Sequence, residues 1–541
     1  MPESASESTH TPERGARASA WTPLRHRLFR GLWFATIASN IGTWMHDVGA
    51  AWLMTSLAPS PLMVALVQSA TTLPVVLLAL PAGALADIVD RRRYLIATQL
   101  WMLLTAALLS AFTLAGQTTA GSLLIFTFLL GCGTAMSMPA WSAITPELVP
   151  KADLQAAVTV NSLGINISRA IGPAIAGMII AATGPAAVFL LNALSFLGVL
   201  FVLTRWRREP HISNLPAERL VGAMRAGLRY AWHSRPLQAV LIRSGGFVLF
   251  ASALWALLPL LVKKELASGA GIYGALLACV GAGAVINAFF LPRWRNKLSS
   301  DRLVAAATIV YALVMLSVAQ LRNVYLLGGA MCVGGAAWIS VLSSLQIAAQ
   351  QALPAWVRAR GISLSMTVFM GGMAGGSLLW GQTANLVGIP LALSVAAICA
   401  LVAAMGTWPF RIGAHEGIDF TPSMHWPTPL VEQELTLDQG PIMVSVEYFV
   451  NANNINVFQR LMNDMRRMRQ RDGAYYWELF TDTADVNRYV EVFMVESWLE
   501  HLRQHERVTV ADREFQQRIK DCLSTDTSRS VHHYVAVRLR D

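Results

Sequence analysis

The residues Gly83-Ala84-Leu85-Ala86-Asp87-Ile88-Val89-Asp90-Arg91-Arg92-Arg93 form a short, strongly charged turn between two long apolar runs. The runs cover 62–86 and 94–115. Each supplies the roughly 20 apolar residues that a helix needs to cross the hydrocarbon core of a bilayer. A charged turn between two such runs predicts a helical hairpin that crosses a membrane twice and leaves its turn in water.

The same pattern of apolar runs and short turns continues through the first 410 residues, and most of the turns contain proline or glycine. It predicts twelve membrane-spanning helices. The candidate spans are 29–57, 62–86, 94–115, 121–143, 156–182, 185–204, 237–262, 271–292, 302–320, 324–350, 361–384 and 388–409.

Charge is divided unevenly along the chain, which has 541 residues and is 54% hydrophobic and only 14% charged. Residues 1–410 contain 27 Lys and Arg and 12 Asp and Glu, whereas residues 411–541 contain 15 and 20. If the N-terminus is cytoplasmic, 22 basic residues lie on the inner side and three on the outer side, so both termini are expected inside. This division favours a membrane surface over nucleic acid as the partner. The five cysteines show no metal-binding or disulfide spacing, and we expect no metal and no cofactor.

The apolar region contains a duplication. A proline and three glycines recur at a constant offset of 204 positions, since Pro150, Gly172, Gly177 and Gly184 match Pro354, Gly376, Gly381 and Gly388. Span five therefore corresponds to span eleven, as in two six-helix halves related by a parallel repeat. The expected organisation is a disordered cytoplasmic lead (1–20), an N-terminal six-helix half (21–204), a cytoplasmic linker (205–236), a C-terminal six-helix half (237–410), a second linker (411–440) and a soluble α+β domain (441–541).

The turn at 83–93 resembles the hallmark of the major facilitator superfamily, Gly-x-Leu-Ala-Asp-x-x-Gly-Arg-Arg/Lys, in residue types and in its place between spans two and three. The resemblance implies an all-α, twelve-helix transporter fold. Asp90 stands where the family usually has glycine, and aspartate tolerates a left-handed turn better than most residues.

The same turn suggests a gate. We expect the Asp87 carboxylate to meet the positive N-terminal end of span eleven, near Gly361. Arg91 and Arg92 would bind carboxylates or lipid phosphates, and these contacts, with Gly83 in the turn, would hold the cytoplasmic side shut. The alternative is that the charges only set membrane orientation.

Ionisable residues deep in a bilayer are costly and usually mark function. Asp47 is the one acid well inside a predicted span, and Arg169 lies near the middle of span five. Asn40, Trp44 and Asp47 share one face of span one, which we expect to line a central substrate cavity. We predict that Asp47 loses its proton when paired with Arg169 and holds it when alone, which would couple proton entry to substrate release. A static ion pair is the alternative.

Span five contains Gly172-Pro173 followed by Gly177, which resembles the Gly-Pro motif in the fifth helix of antiporters of the superfamily. The resemblance implies export, and a plain packing seam is the alternative. Arg243, one or two turns from a helix end, is expected to extend to the membrane surface. Four further residues are candidates for a cavity lining: Gln68, Asn287, Trp338 and Gln346.

The polar tail changes to the order β-α-β-β-α-β, with strands at 441–450, 474–480, 488–496 and 531–539 and helices at 454–471 and 497–523. This order is ferredoxin-like. Residues 496–502 (Glu-Ser-Trp-Leu-Glu-His-Leu) resemble the small dimeric α+β barrels related to antibiotic-biosynthesis monooxygenases. With the whole-chain architecture, they make the chain similar to transmembrane secretion effectors and enterobactin-exporter-like proteins.

Two histidines of the tail, His501 and His505, lie one helical turn apart, and His532 and His533 follow in the last strand. This spacing could suit a metal, but no third ligand pattern is visible, and we expect all four to be surface or interface residues. The tail is interpreted as a regulatory domain or a homodimerisation domain.

These observations predict a proton-coupled exporter of a small amphipathic molecule, such as a siderophore or drug, in the bacterial cytoplasmic membrane. Its partners would be that substrate, protons and the lipid bilayer, without nucleic acid. The chain lacks a P-loop, so ATP is not expected to drive transport. Three alternatives stay open: an importer or facilitator, a membrane-tethered oxidoreductase acting through the tail, and a sensor.

Overall fold

The structure is a computed structural model that describes residues 21–206, 220–354, 356–413, 419–423, 425–426, 436–524 and 530–537. The predicted lead at 1–20, residues 207–219 of the first linker and half of the second linker lie outside these ranges. The described part contains a bundle of long helices followed by a small α+β domain.

Six long helices form the first half of the bundle: α1 (Arg27–Leu57), α2 (Pro61–Ile88), α3 (Arg91–Leu114), α4 (Ala120–Leu148), α5 (Leu154–Thr183) and α6 (Pro185–Arg205). A short helix follows, α7 (Leu220–His233). The second half consists of α8 (Arg235–Lys264), α9 (Ala270–Lys297), α10 (Ser300–Gln320), α11 (Val324–Gln351), α12 (Arg358–Val387) and α13 (Ile389–Gly406).

Eleven of the described helices are long and apolar enough to cross a membrane, judged by length and composition alone. The twelfth long helix, α1, includes Arg27, Arg30 and Asp47 and has 31 residues. It packs between α5 and α6 inside the same bundle. Helices suit this setting because a bilayer core offers no water to bond exposed peptide groups. The predicted twelve-helix fold is confirmed.

The two halves repeat each other closely. Helices α5 (154–183) and α12 (358–387) begin and end at the predicted offset, and each is followed by a glycine with positive φ, +85° at Gly184 and +87° at Gly388. These glycines make the sharp turns into α6 and α13, a conformation that costs other residues more. Between the halves, α2 packs on α12 and α5 packs on α9, as a two-fold relation requires.

The α+β domain contains β1 (Ile442–Phe449), α14 (Ile455–Asp472), β2 (Tyr476–Thr481), β3 (Arg488–Val495), α15 (Trp498–Arg507), α16 (Val510–Lys520) and β4 (Val531–Val535). The four strands form one antiparallel sheet in the order β2-β3-β1-β4. This is the strand order of the predicted ferredoxin-like arrangement.

One predicted helix, 497–523, is in fact two. The chain leaves the helical conformation at Val508, and a new helix starts at Thr509, whose hydroxyl and Asp512 form a reciprocal capping box. The cap satisfies backbone N–H groups that a helix start leaves unpaired, which stabilises a separate α16.

Candidate functional site

The seam between the two halves is built from glycines. We call the end of the bundle where α1 ends and α2 begins the far end, and the end where α2 ends and α3 begins the near end. A Cβ on Gly274 of α9 would lie 2.6 Å from the carbonyl oxygen of Pro173 and 2.7 Å from Cα of Gly177, both on α5. On the other seam, Cβ of Gly381 would lie 3.2 Å from Cα of Leu62. Small residues therefore let the backbones of the two halves touch.

Polar contacts close the far end. Lys263 Nζ donates to the carbonyl oxygen of Thr55 (3.0 Å) and to Ser56 Oγ (2.9 Å). The rings of Trp52 on α1 and Tyr273 on α9 stack with centroids 6.0 Å apart. These contacts join α1 to the second half of the bundle and bar passage at this end.

The halves separate towards the near end. On the α5–α9 seam, Cβ of Gly281 would lie 2.6 Å from Cα of Ala170. Closer to the near end, Leu163 lies two turns along the contacting face of α5 and is 40% exposed, and Val285 lies one turn along that of α9 and is 37% exposed. Because faces that touch on one side of this point are partly uncovered on the other, α5 and α9 diverge towards the near end.

Asp47 lies half-buried on α1, on the near side of the closing layer. Its carboxyl is within electrostatic reach of the Tyr273 hydroxyl across the seam. Among the described residues, no ion pair joins Asp47 to Arg169. The guanidinium of Arg169 instead lies 5.6 Å from the ring centroid of Trp44, and its Nε is buried without a hydrogen-bond partner. This conformation therefore shows the two residues apart.

The other residues of the predicted cavity face lie on the same side of α1. Asn40 and Trp44 are half-buried, and a Cβ on Gly172 would lie 2.6 Å from Cβ of Trp44. Within the Gly-Pro segment, Gly172 thus contacts the first half, whereas Pro173 and Gly177 contact α9 of the second half. The segment joins this face of α1 to the α5–α9 seam.

Sequence reasoning missed His46, the neighbour of Asp47. It is 3% exposed, its ring centroid lies 4.8 Å from that of Phe189 on α6, and both ring nitrogens lack hydrogen-bond partners. A histidine beside the only acid of an apolar run was a visible signal in the sequence. The structure places it inside the first half.

The charged turn stabilises the first half at the near end. Arg91 Nη1 lies 2.8 Å from Glu147 Oε1 of α4, a carboxylate of the same half. Arg92 donates to the carbonyl oxygens of Leu203 (2.8 Å) and Thr204 (2.7 Å) at the end of α6. A Cβ on Gly83 would meet open space. The side chain of the fifth residue of this motif, Asp87, lies outside the described part of the chain.

The departure from the superfamily hallmark has a different cause from the one expected. Asp90 has φ −54° and ψ 116°, so tolerance of a left-handed turn does not explain the aspartate. Its carboxylate instead accepts a hydrogen bond from the backbone N–H of Arg93 at 2.9 Å and caps α3. An aspartate suits this position because it satisfies a free N–H at the helix start.

Arg243 does not extend to the surface, so that prediction is wrong. Its side chain is 2% exposed and forms an ion pair with Asp301 of α10. Asp301 also accepts hydrogen bonds from the backbone N–H groups of Ile412 (3.0 Å) and Gly413 (3.2 Å). The pair thus fixes the segment that leaves the bundle for the α+β domain.

The remaining candidates do not form one site. Asn287 donates to Ser340 Oγ at 2.8 Å and joins α9 to α11. Trp338 is 6% exposed in an aromatic cluster inside the second half, with Trp255 5.4 Å away between centroids. Gln346 is exposed and Gln68 is half-buried.

The α+β domain rests on the near end through α15. Glu500 lies 3.1 Å from Arg229 of α7 and 2.6 Å from Arg507. The Arg507 guanidinium lies 4.4 Å from the ring centroid of Trp356, just before α12 begins. The domain therefore contacts α7, which joins the two halves, and the residues just before the start of α12.

A buried ion pair organises the core of the domain. Arg469 donates from Nε and Nη2 to Glu491 (2.9 and 3.1 Å), which also accepts from Trp477 Nε1 (2.9 Å) and the Tyr448 hydroxyl (2.7 Å). Burial by itself would raise the pKa of Glu491, but the charge and hydrogen bonds of Arg469 hold that pKa below its ordinary value of 4.5. The carboxylate is thus ionised at neutral pH.

The tail histidines differ in burial, and His501 is not the surface residue that was expected. His501 is 1% exposed, and with His505 and His533 it forms a cluster whose candidate ligand atoms all lie within 4.8 Å of one another. His532 faces the other side of the sheet and is exposed. The sequence showed the helical pair, but only the fold brings His533 to it.

Comparison with known proteins gives the chain its family. Residues 18–540 match the family described as transmembrane secretion effector. The staphyloferrin A transporter of Staphylococcus aureus is 26% identical over 285 residues, which cover 51% of this chain and 70% of that protein. The enterobactin exporter EntS of Escherichia coli is 29% identical over 216 residues, covering 40% and 50%. The multidrug efflux pump Tap of Mycobacterium tuberculosis is 26% identical over 220 residues, covering 38% and 51%.

Solved structures share the fold. A bacterial homolog of the human lysosomal transporter Spinster, in an inward-facing and unoccupied conformation, superposes with a TM-score of 0.59 at 11% identity and covers 72% of this chain and 97% of that chain. The nucleoside transporter NupG superposes with a TM-score of 0.57 at 13% identity, covering 71% and 98%. At these identities the likeness concerns the fold alone.

Proposed function

The chain belongs to the family of transmembrane secretion effectors within the major facilitator superfamily, and from this premise we propose that it is a proton-coupled exporter of a small amphipathic molecule, such as a siderophore or drug. It is a multi-pass membrane transporter and not an enzyme, as its family and relatives are transporters. The observation that carries the proposal is the position of Asp47, a carboxylate directly beneath the layer that closes the far end.

Opening of the far end would change the surroundings of this carboxylate. Rocking of the halves must separate Trp52 from Tyr273 and Lys263 from Thr55, and water would then reach Asp47 from the far side. A charged carboxylate is costly in a dry site, so Asp47 would take up a proton before the far end closes again. Proton binding is in this way tied to one conformation, which is the requirement for coupling.

Arg169 would act in the next step of the transport cycle. In the present conformation it lies against Trp44 and leaves Asp47 alone. An ionised Asp47 would attract the Arg169 guanidinium away from the Trp44 ring. The substrate could then no longer bind to the guanidinium and the ring face together. Alternation between these two positions would couple proton entry to substrate release.

We assign the near end to the cytoplasm and both termini with it, in a bacterial cytoplasmic membrane. The basic residues concentrate at this end, as cytoplasmic turns of membrane proteins require. Helix α7 would lie along the membrane interface at this end, since Leu228 is 61% exposed and Trp232 is 76% exposed. The end towards which α5 and α9 diverge would then face the cytoplasmic substrate pool.

The α+β domain would regulate transport and pair two copies of the chain. One face of its sheet is covered by helices, whereas the other bears a row across all four strands made of Tyr476, Met494, Met443 and Tyr534. Tyr476 and Tyr534 are 40% and 48% exposed. The same sheet face of a second copy of the chain would cover this row, since a C2 interface pairs identical surface patches.

The test uses inside-out membrane vesicles with an acidic lumen and three probes: enterobactin, staphyloferrin A and ethidium. The wild-type chain should accumulate at least one probe in the lumen, and Asp47→Asn should abolish accumulation driven by the gradient while leaving exchange at equal pH. Glu265→Gln is the matched control, since Glu265 pairs with Arg322 outside the bundle core. Proton-driven accumulation by Asp47→Asn at the wild-type rate would rule out Asp47 as the coupling site, and movement only in the opposite direction would show an importer.

A further inference from the structure

The histidine cluster of the α+β domain has the geometry of a ligand set. His501 and His505 occupy successive turns of α15 on one face, with ring centroids 4.9 Å apart. His533 comes from β4, where it pairs with Val444 of β1 and so lies on the covered side of the sheet. Its ring centroid is 4.7 Å from that of His501.

The distances suit a metal after a small contraction. Two nitrogens that bind one zinc ion tetrahedrally lie about 3.3 Å apart, because each Zn–N bond is about 2.0–2.1 Å. The candidate ligand atoms of His501, His505 and His533 all lie within 4.8 Å of one another. If the imidazoles rotate so that these nitrogens approach one another by up to about 1.5 Å, all three can bind one ion.

The buried nitrogens lack any other role among the described residues. His501 is 1% exposed, and neither Nδ1 nor Nε2 forms a hydrogen bond of good geometry. The amide of Gln504 is close enough to interact with the ring, but its nitrogen and oxygen likewise form no hydrogen bond of good geometry. Buried polar atoms of proteins are nearly always bonded, so this group of atoms points to a missing ligand.

The charges around the three imidazoles also permit a cation. The Arg469 guanidinium, which lies nearby in the core of the domain, is neutralised by its buried pairing with Glu491.

We propose that His501, His505 and His533 bind a divalent transition-metal ion of the zinc class, with water completing its coordination. Three imidazoles select such ions over magnesium or calcium, which prefer oxygen ligands. The site is closed on one side by Trp426, whose ring centroid lies 5.1 Å from that of His505.

The ion would connect three parts of the chain. It would fasten the edge strand β4 to α15, and α15 also carries Glu500 and Arg507, which hold the domain against α7 and Trp356. Trp426 belongs to the segment that arrives from the bundle. The metal would therefore rigidify the contact between domain and transporter.

The experiment uses the full chain in detergent, stripped with a chelator and titrated with Co²⁺ and then Zn²⁺. We expect one Co²⁺ per chain, with the visible absorption of a tetrahedral site that Zn²⁺ removes and Mg²⁺ does not. His505→Ala and His533→Ala should each weaken Zn²⁺ binding by at least about 100-fold, since even a lost second-shell partner costs about 10–100-fold. His532→Ala is the matched control and should bind as the wild type does.

Three results would overturn the proposal: no cobalt absorption, Zn²⁺ binding unaffected by the first two variants, or equal weakening by His532→Ala. X-ray absorption of the wild-type zinc complex decides the matter even if the variants fail to fold. Three imidazole nitrogens at about 2.0–2.1 Å are expected, and one or none would exclude the site.

Discussion

Replacement of Gly274 by alanine should shift the transporter towards the conformation that is open at the far end. The new methyl carbon would lie 2.6 Å from the Pro173 carbonyl oxygen and 2.7 Å from Cα of Gly177. Both obstacles are backbone atoms, so neither can rotate out of the way. The two helices must move apart by about 0.8 Å to restore ordinary contact.

The energetic effect follows from where the contact lies. Overpacking of a well-packed interface costs about 1–3 kcal/mol. Because Gly274 and Gly177 belong to different halves, we expect the whole penalty to fall on the conformation in which the far end is closed. A change of about 1–3 kcal/mol alters the ratio of the two conformations by about 5- to 150-fold.

The assay is a distance measurement between spin labels at Gln117 and Tyr325, two exposed positions in the far-end turns of the first and second halves. The five native cysteines are first replaced so that only the two labels remain. Gly274→Ala should enlarge the population with the longer distance. The matched control is Gly271→Ala on the same helix, because a Cβ at Gly271 meets nothing within 4 Å.

The reasoning fails if Gly274→Ala and Gly271→Ala give the same distance distribution in a folded protein. That result would mean that the α5–α9 seam does not discriminate between the two conformations. A shift produced by both variants would equally refute it, since the control lacks the contact.

Three further perturbations test the ion pairs and the sheet face. Burial alone would raise the pKa of Glu491, but Arg469 outweighs burial and holds that pKa below 4.5. The carboxylate therefore stabilises the fold above its unfolded pKa, and this stability is lost as the pH falls through the lower folded pKa. Urea unfolding followed by tryptophan fluorescence should show the loss in the wild type but not in Glu491→Gln, which costs about 3–5 kcal/mol at pH 7. Asp301→Asn should cost a similar amount by leaving Arg243 buried without its partner, and the replacement of both residues by apolar ones should recover most of the lost melting temperature. Phe480→Glu should convert a dimer to a monomer in light scattering, because Phe480 is 48% exposed on the uncovered sheet face.

Each of these expectations has a contrary outcome. If Glu491→Gln loses unfolding stability at low pH as the wild type does, another group controls the pH dependence. A wild-type melting temperature for Asp301→Asn would show that the pair is not buried in solution, and an unchanged mass for Phe480→Glu would move the dimer contact elsewhere.

The sequence predicted the membrane fold well, and the reason is physical. A span must be about 20 apolar residues long, and basic turns and glycine or proline breaks mark its ends. These are local properties, so the sequence alone is enough to place α5 and α12 at their constant offset. The succession of strands and helices along the tail was equally accessible, because alternation and helical periodicity are read within one segment.

Pairings between distant segments were predicted poorly. Nothing near Arg243 in the sequence indicates Asp301, and the sequence placed this arginine at the surface. The capping role of Asp90 depends on a backbone angle that the superfamily hallmark suggested wrongly. In both cases the partner is chosen by packing and by the need to pair a buried charge.

What the sequence determined by itself is the set of long apolar helices, the duplication and the type of each segment, because these depend on short-range hydrophobic pattern. What only the tertiary structure decided is which residues meet: Gly177 against Gly274 at the closed far end, Asp47 apart from Arg169, and His533 beside His501. Such contacts depend on the rotation of each helix about its axis and on the register of each strand. Those quantities are set by the packing of the whole chain, and no single segment encodes them.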